Sequence, residues 1–75
     1  MGRDHPSVIA DLAKNLHKHR VRSGLSQEAL AHTADVDRTY VSQIERGIGN
    51  PSIGVVCRLA MALDVDIEEL LSKFP

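Results

Sequence analysis

Two runs of helix-forming residues sit almost back to back in the middle of the chain, in SQEALAHTADVDRTYVSQIERG, residues 26–47. Ser26 is positioned to cap the first run, with Glu28 in its first turn, where a helix favours negative charge. Leu30, Ala31 and Ala34 give that run an apolar side. Asp35 interrupts it, and Asp37 is positioned to cap a second run whose narrow apolar stripe is Val41 and Ile44. The connection is only about three residues long, which forces the two helices to cross steeply instead of folding back antiparallel. Close crossing needs a small side chain at the contact, and Ala31 fits. The turn needs a residue that tolerates positive φ, and Asp35 is acceptable there. Val36, Val41 and Ile44 then face inward, which leaves Arg38, Thr39, Ser42 and Gln43 outward.

The rest of the chain reads as three more helices around this pair. Pro6-Ser7 resembles a helix start with Ser7 as the cap, after a flexible tail over residues 1–6. Ile9, Leu12, Ala13 and Leu16 recur at helical spacing, and the helix should stop at Ser23-Gly24. GIGNPS, residues 47–52, is a loop. Ser52 caps a fourth helix carrying Ile53, Val56, Leu59, Ala60 and Leu63, although Gly54 weakens its first turn. Asp66 with Glu69 three residues on is a capping-box start for a fifth, with Ile67, Leu70 and Leu71. No strand pattern or repeat appears. The expected fold is all-α, a five-helix bundle in one domain over residues 1–75.

Composition narrows the function. Hydrophobic residues make up 43% and aromatics 3%, so aliphatic side chains and alanine do the packing. The single cysteine, Cys57, lies in the apolar run VVCRLA and reads as a small buried hydrophobe in a reducing, cytoplasmic setting. No apolar run is long enough to span a membrane, and the start MGRDHPSV has no signal-peptide core. Net charge is −1, but residues 1–46 hold seven basic against six acidic residues, and residues 47–75 hold two against four. His17 and His19 are two apart on a helix and point in different directions, so they read as surface residues and not as metal ligands. Lys14, Lys18 and Arg22 recur every fourth residue and read as a solvated face. Nothing pairs an acid and a base around a nucleophile, and no enzyme activity, cofactor or metal is expected.

LSQEALA (25–31), VDRTYVSQIERG (36–47), NPS (50–52) and LAMALDVDIEEL (59–70) together resemble the Cro/C1-type, or XRE-family, helix-turn-helix DNA-binding domains. The likeness runs in order through nearly the whole chain after residue 8, and implies a lambda-repressor-like bundle with its helix-turn-helix at about residues 26–46. Asp35 departs from the glycine usual in that turn. The resemblance implies base contacts from Arg38, Thr39 and Gln43 in the major groove of an operator. The chemistry agrees, because Arg pairs bidentately with guanine, Gln with adenine, and Thr meets the thymine methyl. It also implies phosphate contacts from Gln27, Tyr40, Ser42, Arg46 and Asn50. Glu45 corresponds to the family's buried acid, with Arg20 as its structural partner.

So small a domain makes few phosphate contacts, so a homodimer on a palindromic operator is expected, with recognition helices about 34 Å apart. Val55, Ile67, Leu71 and Phe74 exceed what one small core can bury and are the expected dimer face. A restriction–modification controller protein or a small phage-type repressor fits, with no small-molecule effector. The alternative is an antitoxin-like interaction module that reads no bases, for which the near-neutral charge is the best argument.

Overall fold

Side-chain caps mark where the helices begin in the computed structural model, which describes residues 2–75. The helices are α1 (His5–Arg22), α2 (Gln27–Ala34), α3 (Arg38–Glu45), α4 (Ile53–Ala62) and α5 (Ile67–Leu71). Ser26 Oγ accepts from Ala29 N–H at 3.0 Å, Asp37 Oδ1 from Thr39 N–H at 2.8 Å, and Ser52 Oγ from Val55 N–H at 3.2 Å. The Glu69 carboxylate accepts from Asp66 N–H at 2.9 Å, closing the first turn of α5. Each such cap stabilises its helix by about 1 kcal/mol, a useful sum where helices are as short as five to ten residues.

The first helix starts earlier than its sequence suggested. Asp4, not Ser7, is the cap: its Oδ1 accepts from Ser7 N–H at 2.8 Å, and Pro6 lies in the first turn, where a missing N–H costs nothing. The flexible tail expected over residues 1–6 is corrected accordingly. Residues 4–6 belong to the cap and helix, and Arg3 donates to Asp11 and to the Leu71 carbonyl. Met1 lies outside the described residues. Cys57 is half-buried, not fully buried. A Cβ on Gly54 would meet only Ser52 Oγ at 3.8 Å, so the chain's own packing does not explain that glycine.

The principal helix–helix contacts form a closed circuit: α1 packs on α3, α3 on α2, α2 on α4, α4 on α5, and α5 returns to α1. Leu12, Leu16, Leu30, Val41, Leu59 and Leu70 fill the middle with less than 2% of their surface exposed. Ala31 and Ala34 are also buried, so no bulky side chain holds α2 and α3 apart. Asp35 takes the left-handed conformation at φ 57°, ψ 48° and ends α2, and its carbonyl accepts from Arg58 Nη1 at 3.4 Å.

Asn15 closes the circuit. It is 2% exposed, alone among the polar side chains of the core, and its Nδ2 donates to the Leu70 and Ser72 carbonyls at 3.1 and 2.7 Å. Those carbonyls end α5, so α1 supplies the partner that the short helix lacks. Asn15→Ala should strand both acceptors and destabilise the fold by about 1–3 kcal/mol, measurable by urea denaturation. A loss below a few tenths would mean that water replaces the amide without cost.

Candidate nucleic-acid interface

The outward face of α3 begins with a residue that the cap holds in register. Asp37 fixes the first turn, and Arg38 and Thr39 follow immediately, both exposed. Gln43 lies one turn beyond Thr39 and is exposed as well. Val41 and Ile44, 0% and 2% exposed, press the opposite face into the core, so the orientation of these three polar side chains is set by packing. Arg38 also lines an open groove with Arg20, Ser26, Gln27 and Glu28, which brings the start of α3 beside the start of α2.

The expected phosphate contacts are less uniform. Arg46 and Asn50 are exposed, at the end of α3 and in the loop that follows. Asn50 Oδ1 lies 3.0 Å from His5 Nε2, which ties the loop to the start of α1. Ser42 is half-buried, and Tyr40 is half-buried with its ring packed against the core, so part of the tyrosine serves the fold. Gln27 is half-buried and already engaged: its Nε2 donates to Glu45 Oε1 at 3.2 Å.

Glu45 is where three helices meet. Its side chain is 6% exposed, and Arg20, 13% exposed, donates through Nε to Oε2 at 2.6 Å and through Nη2 to Oε1 at 3.0 Å. Arg20 Nη1 also donates to the Leu25 carbonyl at 2.8 Å, which ties the α1–α2 connection into the same knot. His17 Nδ1 lies 3.0 Å from Glu45 Oε1. Burial raises the Glu45 carboxyl, but the hydrogen bonds from Arg20, His17 and Gln27 together outweigh it and hold the group below its ordinary 4.5. The same bond to Glu45 raises the Arg20 guanidinium.

Residues 16–70 match the helix-turn-helix family model described as "Helix-turn-helix". A hypothetical transcription factor of Neisseria meningitidis is 41% identical over 68 residues, which cover 91% of this chain and 64% of that protein. The chain belongs to the helix-turn-helix family. Two solved helix-turn-helix structures share its fold. The restriction–modification controller protein C.AhdI of Aeromonas hydrophila superposes with a TM-score of 0.80 at 40% identity, covering 83% of this chain and 94% of that one. The biofilm regulator SinR, solved in complex with DNA, gives 0.78 at 34% identity, covering 81% and 98%.

Within this helix-turn-helix frame, sequence reasoning overlooked His17 and Asn15. His17 lies three residues before Arg20, on the same side of α1, and that spacing was the available signal. The residues expected at a dimer face are not free side chains. Val55, Ile67 and Leu71 are half-buried against the core. Phe74 is half-buried under the Lys14 and Lys18 ammonium groups, 5.8 and 5.4 Å from its ring centre, and its N–H donates to Asp11. Among the described residues, the most open large apolar side chains are Met61 and Ile53, 80% and 64% exposed.

Because the folded chain holds Glu45 below its unfolded value, the unfolded state binds more protons in acid. The stability contributed is therefore present above about pH 4.5 and is lost as pH falls through the lower, folded value. Glu45→Ala should abolish that part of the acid sensitivity. It should also destabilise the neutral protein by about 3–5 kcal/mol, since it leaves Arg20 charged and unpaired. Denaturation curves at several pH values check both; parallel pH profiles for the two proteins would refute the assignment.

Proposed function

We propose that this helix-turn-helix regulator reads a palindromic DNA operator as a homodimer and controls transcription there, with the promoter of its own gene among its targets. The observation that carries this is the outward triplet Arg38, Thr39 and Gln43 on a helix oriented by its buried face, with Gln27 beside it at the start of α2. The eight residues of α3 span about 12 Å, a length that enters a major groove about as wide. Arg38, Thr39 and Gln43 read base edges. Gln27, Arg46, Asn50, Ser42 and the outer part of Tyr40 hold the sugar–phosphate backbone on either side. Likeness to a controller protein supports a regulator of nearby genes, and DNA as the partner implies a cytoplasmic site of action.

The near-neutral net charge does not oppose this reading, because part of the acidic charge lies towards the C-terminal end of the sequence. Arg38 and Arg46 flank the outward face, whereas Asp64, Asp66, Glu68 and Glu69 lie at and before α5. Modest electrostatic attraction means that affinity must come from two copies acting together. Val55, Ile67 and Leu71 keep part of their apolar surface in water and are the proposed dimer face. Phe74 contributes less, since its ring already serves α1.

Mobility-shift titration on the DNA upstream of its own gene tests the base-reading assignment. Arg38→Ala should cost about 1–3 kcal/mol and relax preference at one base position, whereas Gln27→Ala should weaken all sequences evenly. Equal losses on every sequence for both variants would reduce the chain to a phosphate binder. Sedimentation checks the dimer: the wild type should dimerise at micromolar concentration and Ile67→Glu should not. A wild type that stays monomeric would remove the paired-helix reading.

A further inference from the structure

Glu45 Oε1 has more nitrogen neighbours within hydrogen-bond reach than lone pairs. Arg20 Nη2 and His17 Nδ1 each lie 3.0 Å from it, and Gln27 Nε2 lies 3.2 Å away. A carboxylate oxygen offers two lone pairs. His17 Nδ1 has a second neighbour, Arg20 Nη2 at 3.2 Å. Nδ1 can therefore donate or accept: a neutral ring protonated on Nδ1 donates to Oε1, one protonated on Nε2 accepts from the guanidinium, and the imidazolium can only donate. In a neutral ring protonated on Nε2, Nδ1 accepts from the guanidinium, and Oε1 serves Arg20 and Gln27 alone. In the imidazolium, Nδ1–H donates to Oε1 in a charge-assisted bond, and a third donor crowds that oxygen. The Gln27 amide is the longest of the three contacts and the neutral one, so it is the one to leave.

We infer that His17 is a positioning residue for Gln27: protonation of the imidazole draws Glu45 Oε1 to His17 and releases the Gln27 amide to a DNA phosphate. This rests on the reading of Gln27 as a phosphate contact. The charged groups facing His17 are Arg20 from its own helix and Glu45 from α3. Gln27 and Glu28 from α2 and Arg38 from α3 line the groove beside Arg20. The His17 side chain is 59% exposed and exchanges protons with solvent, whereas Glu45 is 6% exposed and keeps its bonds to Arg20 in each arrangement. The consequence is a DNA affinity that rises on mild acidification through one specific amide, over and above the general gain from charging histidines.

Two measurements on the full chain separate this coupling from the DNA reading. The first follows the Gln27 side-chain amide by nitrogen-edited NMR in the free protein, together with the His17 ring protons, over roughly pH 8 to 5. The Gln27 signals should move with the His17 midpoint and stay flat in His17→Ala, with His17→Gln as a second variant that retains hydrogen bonding without titrating. A flat Gln27 signal while His17 titrates, or an unchanged shift in both variants, overturns the coupling whatever the DNA does. The second compares operator affinity at the two ends of that range by fluorescence anisotropy. The wild-type gain on acidification should exceed that of Gln27→Ala by about threefold to tenfold, the worth of one hydrogen bond. Coupled NMR titrations with equal gains in the two proteins would overturn the phosphate role of Gln27, and the inference with it.

Discussion

The Glu45 carboxylate supplies the directional constraint on which the working face depends. Apolar packing of Val41 and Ile44 turns the polar face of α3 outward but leaves its tilt and its position along the core loosely set, because burial is nondirectional. The bidentate bond from Arg20 does fix them, since a planar guanidinium and a planar carboxylate match in only a narrow range of orientations. The same Arg20 holds the Leu25 carbonyl, so the helix that anchors α3 also sets where α2 begins. Removing water from this pair is costly, and a well-packed apolar pair could match its net stability. Its value therefore lies in geometry more than in raw stability.

This arrangement explains how a chain with one net negative charge presents a face suited to DNA. Arg38 and Gln43 are carried on a rigid helix, so little side-chain and backbone freedom is lost on binding beyond that of the side chains themselves. The one carboxylate within α3 itself, Glu45, is neutralised by Arg20 and turned inward. Besides Asp4, the exposed acidic residues lie in two groups, Glu28, Asp35 and Asp37 around α2 and the start of α3, and Asp64, Asp66, Glu68 and Glu69 towards the end of the sequence.

Much of the fold could be read in the sequence because capping is local. Ser26, Asp37, Ser52 and Asp66 each act within three residues, and the packing of α3 on α2 follows from a short connection with buried alanines on α2. The first helix start was misread because Asp4 and Ser7 are both good caps. Pro6 in the first turn decides between them, since proline suits the opening of a helix better than the position before it. Arg38, Thr39 and Gln43 were legible as polar residues on a helix whose other face is apolar. What was not legible depends on distant residues meeting: Asn15 with Leu70 and Ser72, His5 with Asn50, Arg3 with Asp11 and Leu71, and His17 with Glu45. No local rule announces such partners.

The amide of Asn15 also bears on the order in which the molecule assembles. Its partners lie 55 and 57 residues further along, so the circuit of helices is shut by a contact spanning most of the chain. Helical proteins usually fold fast because their contacts are near in sequence, and a closure this remote slows the final step. A nascent polypeptide leaving the ribosome can bring α1 onto α3 first, but the side of α1 that meets α5 stays wet until residues 70–72 emerge. The circuit of helices is thus shut only when translation has passed the last turn of the bundle.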